Sequence, residues 1–125
     1  MRVARYWAVA RDVARVACIL PLVERQRRRL SLHAAVAAAR GRSRWLGSPS
    51  ADDRARLRRV IGAIDRRLPD GGNCVRRALL EMSLNTAAAR ERLLAGFRSG
   101  GGVSSGHAWL ESQPATERYD AVMAI

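Results

Sequence analysis

Cys74 and His107 are the residues of this chain whose types and surroundings suit covalent chemistry. Cys74 follows Asp70-Gly71-Gly72-Asn73 and opens the stretch Cys74-Val75-Arg76-Arg77-Ala78-Leu79. Two glycines let a substrate backbone come close, and a thiol at a helix start lies near N–H groups that no earlier turn uses. A helix N-terminus and a nearby imidazolium each stabilise a thiolate, the form of sulfur that attacks a carbonyl. His107 could supply that imidazolium and act as general base. It stands in Gly106-His107-Ala108-Trp109-Leu110-Glu111, where the two-residue period of a strand puts Trp109 and Glu111 on the same face. Two later carboxylates, Glu117 and Asp120, could orient the ring through its second nitrogen. Cys, His and acid in that chain order form a candidate triad. Each has a plainer reading too: a small core residue, a structural histidine, a polar residue on an edge strand. Cys18, inside an apolar helix face, and His33, beside an alanine-rich stretch, lack such surroundings and read as structural.

The elements that must position these groups are mostly helical. From residue 3 to 20 the apolar positions Val3, Tyr6, Trp7, Ala10, Val13, Val16, Ala17 and Leu20 recur at three and four, leaving Arg5, Asp12 and Arg15 on another face. Pro21 permits a break, and residues 23–39 read as a second helix. Ser50 followed by Asp53 suggests a capping box, and Leu57, Val60, Ile61, Ile64 and Leu68 mark a third helix ending at Pro69. After the turn at residues 70–73 a helix runs from Cys74 at least to Leu84. Residues 91–97, 106–111 and 118–125 read as three strands, expected to pair in sequence as a meander, so the fold class is α+β. If the last two strands form a hairpin turning near Pro114, His107 faces a residue near 121. That puts Asp120 within reach as the third member and leaves Glu117 as the alternative.

Length and charge bound the remaining possibilities. A chain of 125 residues reads as one domain, 1–125, with an Arg-rich helical part over 1–69 and a Cys/His core over 70–125. The net charge of +12 sits wholly in the first part: residues 1–69 hold 17 arginines against five acids, and residues 70–125 hold six of each. Such a split suggests a polyanion, a membrane surface or an acidic partner, or simply solvated helix faces. It also supports a reading from another class, a non-enzymatic nucleic-acid binder using Arg25, Arg27, Arg28, Arg29, Arg42 and Arg44 with Trp45 available to stack. Two cysteines 56 positions apart form no disulfide framework and no paired metal-ligand spacing, so a reducing, cytoplasmic setting without metal or other cofactor is expected. No segment reads as a signal peptide or a membrane span.

The strings Asn73-Cys74-Val75-Arg76-Arg77-Ala78-Leu79, Ala95-Gly96-Phe97-Arg98 and Gly106-His107-Ala108-Trp109-Leu110-Glu111, with Arg-rich helices and an Arg-Arg-Leu-Pro stop before the cysteine, resemble the transglutaminase-like leader peptidases of lasso peptide biosynthesis. The resemblance implies a papain-like or transglutaminase-like core and a cysteine protease that removes the leader from a ribosomally made precursor. Cys74 would be the nucleophile and His107 the base. It also implies a separate leader-recognition protein and an ATP-dependent macrolactam synthetase as partners, with no stable nucleic acid. The chain departs from the family pattern where the turn after the His-Ala-Trp strand is short and where Asn85 to Ala89 replace the usual Arg-Gly-Ile segment.

Overall fold

A computed structural model of the chain describes residues 2–44, 46–47, 49–100, 103–113 and 118–125, with only the backbone at 100 and 103–105. The architecture is α+β, as the pattern predicts: helices followed by a small antiparallel sheet. Helix α1 (Arg2–Arg29) does not break at Pro21. Proline removes one donor and usually kinks or ends a helix. Here Val16 and Val23, both fully buried, hold the turns on either side of it against the core. The chain turns instead at Leu30-Ser31, where the Ser31 hydroxyl accepts from the Ala34 N–H and starts α2 (Leu32–Ser43).

The face of α1 also differs from expectation. Asp12 is buried and accepts a 2.7 Å hydrogen bond from Arg56 Nε, whereas Val3, Tyr6, Trp7 and Cys18 are exposed. A helix rich in alanine and valine shows apolar residues on more than one side, and a carboxylate paired with arginine can be buried, so the pattern alone does not choose the inward face. Helix α3 (Ala51–Arg67) begins with the expected capping box: Ser50 Oγ accepts from Asp53 N–H and Asp53 Oδ2 accepts from Ser50 N–H. It ends before Pro69 because the preceding residue, Leu68, is driven to extended backbone.

Helix α4 (Cys74–Leu84) is the centre of the core. Ala78, Leu79, Leu80, Met82 and Leu84 are buried, and α1, α2, α3 and the sheet all pack on this helix. A short α5 (Thr86–Ala89), capped by Asn85, leads to the strands β1 (Leu93–Gly100), β2 (Val103–Leu110) and β3 (Ala121–Ala124). Their order is β2-β1-β3, all antiparallel, so the expected meander is not formed. β1 is central, pairing His107 with Gly96 on one side and Val122 with the same Gly96 on the other. The outer edge of β2 is instead covered by the start of α4, which leaves β3 the far side of β1. No described helix is long and apolar enough to cross a membrane.

Candidate active site

The loop before α4 is shaped by its glycines. Gly72 has φ +82, a left-handed conformation, and a Cβ at Gly71 would lie 2.9 Å from the Asp65 carbonyl oxygen. Both glycines therefore serve the turn itself. Asn73 caps the helix, its Oδ1 accepting from the Arg76 N–H at 2.9 Å. Cys74 is half-buried in the first turn, and its Sγ accepts the Ala108 N–H of β2 at 3.3 Å. That donor points out of the sheet because β2 is an edge strand, with no partner strand on that side among the described residues. A backbone N–H and a helix N-terminus both stabilise negative charge on sulfur.

The residue beside that donor is His107, and it lines the same cleft of about 410 Å³ as Cys74. Its ring stacks on Trp109 at 5.8 Å and on Tyr119 at 6.4 Å between centroids, and Trp109 and Tyr119 lie 5.1 Å apart. Interplanar angles of 15–23° make this a three-ring stack that fixes the imidazole plane. Gly96 permits it, since a Cβ there would meet Tyr119 Cγ at 2.5 Å and Trp109 at 2.9 Å. Gly96→Ala is therefore expected to displace the stack and lower stability by about 1–3 kcal/mol, the usual cost of overpacking; denaturant unfolding checks this.

The carboxylates fall differently from the hairpin register. Asp120 lies immediately before β3, and its Oδ2 accepts from Ser99 N–H at 2.9 Å and Ser99 Oγ at 3.3 Å, holding the end of β1. Glu111 pairs with Arg92 at 2.8 Å. Glu117 and the turn at Pro114 lie outside the described residues. Tyr119, which sequence reasoning passed over, takes the place beside the imidazole. Its only signal was an aromatic residue two positions before β3 opposite a glycine in a strand, a combination that often marks close approach of a ring. Asp120→Asn is expected to leave Tyr119 stacked and to lower any turnover that depends on Cys74 by less than about tenfold; a loss near 10⁴, as for the acid of a catalytic triad, would place Asp120 on the imidazole during reaction.

A buried ion network, also unseen in the sequence, anchors the Cys74 loop. Asp65 is 0% exposed and Arg76 1%. Asp65 Oδ1 accepts from Arg76 Nε at 2.9 Å and Nη2 at 2.5 Å, and its Oδ2 accepts the Gly72 N–H at 2.8 Å. Arg76 also donates to Asp70 Oδ1 at 2.7 Å and to the Asp70 carbonyl at 3.1 Å. Arg27 of α1 closes the ring by pairing with Glu24 at 2.9 Å and Asp70 at 3.3 Å. Burial opposes the Arg76 charge, yet its hydrogen bonds to Asp70 and Asp65 more than offset this and strengthen its hold on the proton. The hydrogen bond from Arg76 keeps the Asp70 carboxyl below the usual carboxylate range, and that from Arg27 does the same for Glu24.

Two of the arginines expected to face a polyanion are thus turned inward. Arg27 belongs to this network, and Arg42 donates to Ser83 Oγ at 3.0 Å and Gln26 Oε1 at 2.5 Å. Arg25, Arg28 and Arg29 remain exposed, and Trp45 lies outside the described residues. A family model described as the transglutaminase-like superfamily matches residues 17–123, which include Cys74, His107 and Asp120. No curated protein and no solved structure gives a match.

Proposed function

Since the chain belongs to the transglutaminase-like superfamily, we propose that it is a cysteine peptidase, and more narrowly one that removes the leader from a ribosomally made lasso precursor peptide. The observation that carries the reading is the thiol of Cys74 at the start of α4, held by the Ala108 N–H in a cleft that His107 also lines. The strings around Cys74 and His107 support the narrower assignment by their resemblance to leader peptidases.

In this reading Cys74 Sγ attacks the scissile carbonyl while His107 takes the thiol proton. The tetrahedral oxyanion is met by the Cys74 N–H, which points out of the helix start because the Asn73 side chain caps Arg76 instead. Collapse breaks the C–N bond, with His107 returning its proton to the leaving amine. Water, deprotonated by His107, then attacks the thioester, freeing the leader carboxylate and regenerating the thiol. The Trp109 and Tyr119 rings orient the imidazole, and Asp120 contributes by holding the β1 end next to the Tyr119 segment. Such chemistry needs no metal or other cofactor. The released core carries a new N-terminal amine, the group a macrolactam synthetase would join to a side-chain carboxylate. A separate recognition protein would deliver the precursor.

The test incubates the protein with a precursor and its recognition protein and follows products by mass. Leader and core should appear as a pair differing from the precursor by one water. Leader release that persists after Cys74 has been fully alkylated would overturn the assignment.

A further inference from the structure

The wall of the Cys74 cleft opposite the sheet is formed by α3 and α4, where Arg58, Arg59, Arg66 and Arg77 meet one described carboxylate, Glu81. Glu81 is buried and already neutralised, accepting from Arg58 Nε at 2.6 Å and from Arg54 at 3.2 Å. Arg77 leans on Asp65, its Nε 3.7 Å away. Arg59 and Arg66 are exposed and have no hydrogen bond or ion pair among the described residues. Two uncompensated guanidinium groups in a cleft that also holds a nucleophilic sulfur concentrate anions at that sulfur. The fork of a guanidinium matches a carboxylate in particular, since it can donate two parallel hydrogen bonds.

We infer that Arg59 and Arg66 form a carboxylate-binding subsite of the cleft, so that the peptide attacked by Cys74 carries Asp or Glu close to the scissile bond. The identity of the ligand as a peptide rests on the peptidase reading, whereas the subsite itself rests on the arginines alone. The free cations are on the cleft wall and not merely part of the overall charge, which distinguishes this from the solvated arginines of α1.

The test compares alkylation of Cys74 by iodoacetate, an anion, with iodoacetamide, its neutral analogue, in a Cys18→Ala background. The iodoacetate-to-iodoacetamide rate ratio should exceed that of a small free thiol. It should fall on the order of fivefold in Arg59→Gln/Arg66→Gln, the effect of removing two charges from the wall of a partly aqueous cleft. An unaltered iodoacetamide rate shows that the sulfur and the fold are intact. In the unsubstituted arginine wall the ratio should also fall as salt is raised to about 0.5 M, where the screening length is about 4 Å. A ratio insensitive to both the substitutions and salt overturns the subsite. With peptides, Glu→Gln near the cleaved bond should lower kcat/KM about tenfold for the native cleft and hardly at all for the double variant. Should no peptide be cleaved by any form, the peptidase reading fails while the alkylation ratio still decides the subsite.

Discussion

Cys74→Ala is expected to abolish the leader release proposed for this chain, with turnover falling by on the order of 10⁴ to 10⁶, and His107→Ala should do nearly the same. The two losses do not add, because nucleophile and base act as one unit and removing either leaves only binding and oxyanion contacts. Cys18→Ala should stay within a few fold of the native rate, since Cys18 is exposed on α1 and does not line the cleft. Folding separates the two causes of inactivity. Alanine at position 74 loses one hydrogen bond to sulfur at a half-buried site, so the variant should unfold within about 1.5 kcal/mol of the native protein. Full leader release by Cys74→Ala would remove the basis of the assignment.

Arg76→Met produces the largest expected loss of stability, about 3–5 kcal/mol. Met fills the same space, but Asp65 is left fully buried with its main partner gone and only the Gly72 N–H and the more distant Arg77 to face it. Arg76→Met/Asp65→Leu should recover much of the stability, because replacing a buried pair by apolar residues is often neutral. It should not recover activity to the same extent. The Gly72 N–H then has no acceptor and Asp70 no anchor, so the loop that sets Cys74 is loosened. Equal recovery of both would show that the network supports the core and not the site.

Acid should act on the same loop. Asp70 and Glu24 have carboxyls held below their ordinary range by Arg76 and Arg27, so their contribution is complete above the unfolded value near pH 4. It is lost as pH falls through the lower folded values and the carboxyls are protonated. The melting temperature should therefore hold from neutrality down to about pH 4 and drop below it, and Arg76→Met should show a shallower drop.

How much of this was legible in sequence follows the range of each interaction. The Ser50–Asp53 capping box, the end of α3 before Pro69 and the start of α4 at Cys74 are decided within four residues, and each stands where local rules place it. Pro21 is also a local signal, yet it was overruled, because burial of Val16 and Val23 on the core outweighs the one hydrogen bond that proline removes. The acids were the hardest to read. Asp12, Asp65 and Glu81 look like surface residues, and only pairing with Arg56, Arg76 and Arg58 from other elements allows their burial.

By itself, then, the sequence determined the two ends of α3, the α+β class, the place of Cys74 at a helix start and of His107 on a strand, and a charge excess confined to residues 1–69. These depend on backbone preferences and side-chain spacing over one or two turns. The tertiary structure decided the strand order, the docking of the free edge of β2 against Cys74, the Trp109–His107–Tyr119 stack over Gly96 and the hydrogen bonding of Asp120 to Ser99. Strand partners are chosen by long-range packing, and a strand's local pattern reads the same on either side of its neighbour. With the outer edge of β2 taken by α4, β3 could pair only with β1, and that choice put Tyr119 where the expected hairpin would have put a carboxylate.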